Sequence, residues 1–256
     1  MTAASRKRFA ELVRSEPVDL GLACLLIGCE SEPDLDLDAS LEVLDALAEA
    51  ARPLVLQLGA AEGLRQALSV QAGFGGTPSD YEELRSSLLH EVLRRGRGLP
   101  ILLSVLWCEV ASRLDVLALP LGLPGHVMVC LGDPLDEHVV VNPWNGGVVV
   151  DVEPDPVLYP GDLLLRLLNN IRLLTTRQER SLETARTRLW ATELSLLLPR
   201  HPIDLRRERG ELLVRLGDHL GGAAELEAYA HVVGEVDEEK ADGARREARL
   251  ARARLN

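Results

Sequence analysis

The sequence predicts an α+β fold: helices first, then a small antiparallel sheet on a central helix, then an α-helical tail. Three observations predict it. Apolar residues recur at helical spacing up to about residue 114 and again beyond Pro160, as in the run Leu41, Leu44, Leu47 and Ala48. Between these regions lie short Val- and Leu-rich runs separated by turn residues. At the junction stands an ordered block. Gly96-Arg97-Gly98-Leu99-Pro100 opens a helix, Pro124-Gly125-His126 opens a strand, and Asn142-Pro143-Trp144-Asn145-Gly146-Gly147 follows another.

The elements follow in order. Residues 18–29 and 39–51 read as two helices, separated by the acidic linker Glu30–Asp38, with Asp38 as a candidate N-cap. A third helix, about 57–71, ends at Gly73, and Gly73–Tyr81 is Gly/Pro/Ser punctuation that forms a loop. A fourth helix runs from about Tyr81 to Arg95, with Leu84, Leu88, Leu89 and Val92 on one face. Pro100 suits the first turn of the next helix, where its missing N–H costs nothing. That helix, Ile101–Leu114, is apolar almost all round, so it is the central buried one. Strands are expected at Ala118–Leu123, His126–Leu131, His138–Asn142 and Val148–Val152, the last two joined by an Asn145-Gly146 hairpin turn because both residue types tolerate positive φ. Beyond Pro160 helices are expected at about 161–174, 178–198, 203–217, 221–233 and 238–256. Leu213, Leu216, Gly217, Ala223, Ala224 and Tyr229 follow the small/large pattern of a tetratricopeptide helix pair. One such pair is too little for an independent solenoid. The expected division is therefore a core with N-terminal helices over 1–160 and a helical region over 161–256 packed on it. Expressed alone, residues 166–256 should melt without cooperativity or aggregate; a soluble, cooperatively melting monomer would show two independent domains.

Composition narrows the function classes. A net charge of −12 and a pI near 5.0 repel phosphates. The arginine pairs Arg94-Arg95, Arg206-Arg207 and Arg245-Arg246 are interleaved with acids and read as solvated helix faces, so nucleic acid is not an expected partner. No segment approaches the ~20 apolar residues of a membrane span. Leu26-Ile27-Gly28-Cys29 matches a lipoprotein cleavage box, but Glu11, Arg14, Glu16 and Asp19 interrupt the stretch behind the basic cluster Arg6-Lys7-Arg8. Cys24, Cys29, Cys108 and Cys130 lie in apolar contexts without paired spacing, which suits reduced thiols in the cytoplasm.

The helix–strand–strand block has the order of a papain- or transglutaminase-type thiol site. In such a site a Cys opens the helix, a His follows on a strand, and an Asp or Asn on the next strand orients the imidazole. His126 and Asn142 are present; the helix start reads Leu99-Pro100-Ile101 and carries no thiol. The remnant site is therefore Pro100, Ile101, His126 and Asn142. His126 reads as a structural histidine bonded to Asn142 across adjacent strands, or as a working base. Cys108 is the alternative nucleophile, but it lies eight residues past Pro100, about 12 Å along the axis, where a core cysteine is the simpler reading. Cys130 shares a strand face with His126 but lies about 13 Å away. Trp144 either lines the cleft or covers the core edge. His90 and Glu91 are adjacent and so do not share a helix face; no metal or other cofactor is expected.

Several segments together resemble the SirB1 family, which joins a transglutaminase-like core to tetratricopeptide-like helices. The Gly73–Tyr81 loop followed by the stretch from Ser86 to Val116, the strand Gly122–Val129, the turn Val140–Gly147, the segment Leu167–Leu174 and the opening helix pair match that family's blocks in order, over roughly residues 15–235. The resemblance implies a papain/transglutaminase-like core whose nucleophile has been lost. It departs from the family at Asn142, where Asp is usual, and at Ser86, where Asn is usual. It implies a non-catalytic binding or scaffold module with a protein or peptide partner. The alternatives are a cysteine-dependent acyltransferase or amide hydrolase using His126 and Asn142, and an adaptor whose tail grips a peptide.

Overall fold

The structure is a computed structural model and describes residues 2–254. Its described residues form eleven α-helices and one four-stranded antiparallel sheet. The chain divides into two compact units, Met1–Leu167 and Leu168–Asn256.

The first unit opens with α1 (Ala3–Leu12), which the sequence reading did not anticipate. Its apolar face is reduced to one fully buried anchor, Phe9, too sparse to register as periodicity. Next comes α2 (Leu20–Gly28), almost wholly buried and capped by Asp19. The long α3 (Leu37–Leu58) is capped by Asp36 rather than the expected Asp38: the Asp36 carboxylate accepts the Ala39 N–H at 3.0 Å. It also runs through Pro53, where the expected break does not occur. Pro53 and Glu49 lie on the exposed face, so the Glu49 carbonyl left without a helical donor is open to water. After Gly59 come α4 (Ala60–Leu64) and a π-helical turn, Arg65–Gln71.

The expected helix 81–95 is also corrected. Only α5 (Leu89–Arg95) is α-helical; Pro78–Glu82 and Leu84–Ser87 are 3-10 turns, and Leu88 is extended at φ −123° and ψ 118°. Tertiary bonds hold this segment. The Ser86 hydroxyl donates to Asp80 at 2.9 Å and the Ser86 carbonyl accepts the Leu99 N–H at 2.9 Å, which local helical propensity does not outweigh.

Helix α6 (Pro100–Ser112) is the buried centre expected from its composition, with Ile101, Leu102, Leu103, Val105, Leu106, Trp107 and Val110 all within the core. Strands β1 (Ala118–Leu123), β2 (His126–Gly132), β3 (His138–Asn142) and β4 (Val148–Val150) pair in sequence order. The Ser104 hydroxyl donates to the Val127 carbonyl at 3.1 Å and so pins α6 against β2. The β3–β4 connection is longer than a two-residue Asn-Gly turn. Pro143–Asn145 form a 3-10 turn, and the positive φ values fall on Gly146 and Gly147, at 67° and 71°.

Helix α7 (Pro160–Arg177) contains the unit boundary. The second unit continues through α8 (Leu182–Leu197), α9 (Asp204–Arg215), α10 (His219–Val233) and α11 (Glu238–Ala253), each packed on the next. Small residues allow the close approach. Ala223, Leu226, Ala248 and Ala251 form one cluster and Tyr229, Ala230, Ala241 and Ala244 another. The arginines of this unit find acids, as the interleaved pattern implies: Arg209 bonds Glu193 and Glu225, and Glu208 accepts from both Arg172 and Arg188.

Candidate functional site

The β1–β2 turn places His126 at the start of β2, opposite Leu123. The β2–β3 ladder begins only at Val129 and Val141, so His126 reaches diagonally to Asn142. Its Nε2 lies 2.9 Å from Asn142 Oδ1, and that same oxygen accepts the Asn145 N–H at 3.2 Å. Because the backbone N–H identifies Oδ1 as the acceptor, the histidine donates to it through Nε2. This is the orientation of a triad histidine, but a neutral asparagine supplies no charge to stabilise an imidazolium.

Arg166, at the first part of α7, fixes the turn from the other side. One guanidinium nitrogen donates to the carbonyls of Leu123 and His126, at 2.8 and 2.9 Å. A histidine bond that is only part-buried contributes modestly. His126→Ala should therefore lower stability by about 1 kcal/mol, as read from chemical denaturation, with Arg166 and the ladder left in place. An unchanged denaturation midpoint accompanied by loss of biological function would show a working residue instead.

An aromatic wall flanks the imidazole. Trp144 meets His126 edge-to-face with ring centroids 5.8 Å apart, and Tyr81 meets Trp144 at 6.4 Å. Trp144 is half-buried and Tyr81 is partly exposed. Gly76 makes this possible: a Cβ there would fall 1.8 Å from Trp144 Nε1, so only glycine lets the indole lie on that backbone. The Gly76 N–H in turn donates to the Trp144 carbonyl at 3.0 Å. Beneath the loop, the fully buried Asp80 accepts from the Thr77 N–H and hydroxyl, Ser86 and Arg97, at 2.7, 2.9, 2.9 and 3.2 Å. Burial pushes the Asp80 carboxyl up, but these donors outweigh it and hold the group below the ordinary aspartate value.

Sequence reasoning named His126, Asn142 and Trp144, and the structure brings these three together. Tyr81, Gly76, Asp80 and Arg166 went unnamed as site residues. The Thr77-x-x-Asp80 spacing is a capping-box signal that could have singled out Asp80; nothing local marks Arg166.

Pro100 and Ile101 are buried in the first turn of α6, with Ile101 2% exposed. The position where a nucleophile would stand is core. Cys108 is half-buried rather than enclosed, and burial, followed by Glu109 and Cys130, raises its thiol. The titratable groups that act on it are Glu109 and Cys130. Burial likewise raises Cys24, Cys29 and Cys130. A further expectation needs correcting: His90 and Glu91 do converge, because Glu32 meets them from the turn after α2 and the three ligating atoms lie within 4.8 Å of one another. Adjacent residues on a helix's first turn can reach a third group that lies between their directions, which face-counting on one helix overlooks.

The α+β fold holds a transglutaminase-like domain over part of the chain: residues 38–158 match the family described as the transglutaminase-like superfamily. A "UPF0162 protein" of Xylella fastidiosa strain Temecula1 is 29% identical over 244 residues, covering 85% of each chain. One of the same name from strain 9a5c is also 29% identical over 244 residues, with the same coverage. No solved structure matches the chain. Among the described residues, no helix is long and apolar enough to cross a membrane.

Proposed function

We propose that this chain is a SirB1-like protein whose transglutaminase-type site no longer performs thiol chemistry and serves as a non-catalytic binding or scaffold module for a protein or peptide. One observation carries the reading: the helix start is Leu99-Pro100-Ile101, buried, while the His126–Asn142 bond and the Trp144–Tyr81 wall are kept. A site with a histidine pair and an aromatic surface but no nucleophile can hold a chain without cleaving or transferring it. The net charge of −12 argues against nucleic acid. The four free thiols fit a reducing, cytoplasmic setting.

The thiols provide the test of chemical silence. At neutral pH the folded chain should resist iodoacetamide for hours and react at all four cysteines once denatured, as mass spectrometry would show. Rapid stoichiometric labelling of Cys108 that disappears in His126→Ala would establish a relocated nucleophile. The binding half is tested by a photoreactive phenylalanine in place of Tyr81 in the native host. It should cross-link one defined protein or peptide, and Trp144→Ala should abolish the adduct. An adduct unchanged by Trp144→Ala would place binding elsewhere.

A further inference from the structure

Outside the remnant site, the first unit holds a second constellation. Glu32 follows α2, while His90 and Glu91 stand in the first turn of α5, and each offers one ligating atom within 4.8 Å of the others. His90 is 2% exposed. Its Nδ1 has no hydrogen-bond partner among the described residues and rests against Gly28, where a Cβ would come within 2.3 Å. Its Nε2 is aimed at Glu32 Oε2 from 3.6 Å, too far for a hydrogen bond. The Glu32 and Glu91 side chains are 40% and 21% exposed, which leaves the cluster open to solvent on the carboxylate side. Part of the negative charge is offset by Arg94, half-exposed, which donates to Glu32 at 2.7 and 2.9 Å and to Glu91 at 3.3 Å.

We propose that Glu32, His90 and Glu91 form a binding site for a divalent transition-metal ion, with Arg94 as the counter-charge that the ion displaces. One imidazole and two carboxylates is the donor set of zinc and its first-row neighbours, whereas magnesium and calcium favour oxygen alone. His90 Nε2, which lies 3.6 Å from Glu32 Oε2 and beyond hydrogen-bond range of it, would gain a partner in the ion. The two carboxylates would exchange a mobile guanidinium for a compact double charge. Three protein ligands leave a coordination position for water. The ion would tie the turn after α2 to α5, so binding should raise the melting temperature by mass action.

The test uses the full chain, stripped of metal, titrated with Zn²⁺ and Co²⁺ by calorimetry, with cobalt also followed by its visible absorption. One ion should bind per chain. Glu32→Gln and Glu91→Gln, both at solvent-accessible positions, should each weaken binding by about tenfold or more, since losing a ligand costs at least what losing an outer-shell partner does. Arg94→Gln should tighten it, a response that no adventitious site at another histidine or cysteine would give. Absence of stoichiometric binding below about 1 mM, or binding that both glutamine variants leave intact, would overturn the proposal. An Arg94→Gln variant that binds no more tightly would overturn the displacement by Arg94.

Discussion

Replacing Trp107 with alanine is expected to remove ~3–5 kcal/mol of stability, the cost of truncating a large aromatic in a packed core. Trp107 is fully buried in α6 and ranks first among the large enclosed side chains. It also reaches the β3–β4 turn: a Cβ on Gly147 would lie 2.5 Å from its Cη2, so the indole supports the segment that carries Asn142 and Trp144. The loss should therefore extend beyond the melting temperature. Hydrogen exchange at Asn145–Gly147 should accelerate before the rest of the sheet opens. Trp107→Phe should cost much less, because the indole Nε1 is buried without a hydrogen-bond partner among the described residues and phenylalanine removes that unsatisfied donor. Equal destabilisation by the two substitutions would mean that the Nε1–H finds a partner in solution.

Replacing Asp80 with alanine should cost about 3 kcal/mol, the lower end for a broken buried ion pair, because Arg97 can rehydrate once its partner is gone. Arg97 is 43% exposed while Asp80 is fully buried. For a chain of this size that corresponds to a fall of roughly 6–12 °C in melting temperature. The pH dependence has a definite sign. The Asp80 carboxyl is held below its unfolded value, so its contribution is complete above about pH 5 and is lost as pH falls through the lower folded value. The gap between wild type and Asp80→Asn should be constant from neutral pH down to about pH 5 and should narrow below it. A gap that instead widens on acidification would show that Asp80 is protonated in the folded state. Because Thr77–Asp80 shapes the loop that holds Gly76 and Tyr81, either variant should also disturb the Trp144 environment, which its fluorescence would report.

Much of this architecture was legible from local patterns. The four strands emerged from Val/Leu runs, and α2, α6 and the tail helices from their periodicity, because each is decided by residues within a turn or a pleat of one another. The missing thiol was equally plain, since an absence at a helix start is a fact of residue identity. The failures have a common cause. Helix 81–95 reads as continuous until Asp80 takes the Ser86 hydroxyl, and Asp38 is a reasonable cap until Asp36 folds back onto Ala39. The Asn145-Gly146 turn is a strong signal, yet the chain places its positive φ values one residue further on.

The sequence by itself determined the order of the strands, α6 and the tail helices, the His126–Asn142 pairing and the lack of a nucleophile at Pro100-Ile101. Hydrophobic period and residue identity act over a few residues and survive any global arrangement. Only the tertiary structure decided which distant groups meet: Arg166 on the carbonyl of Leu123, 43 residues away, and Arg94 on Glu32, 62 residues away, with His90 held beside them. Those contacts follow from how whole elements pack, and a polar side chain's burial and partners exist only after that packing is complete. For that reason the approach of Tyr81 to Trp144 and the Glu32–His90–Glu91 cluster have no signature in the sequence pattern.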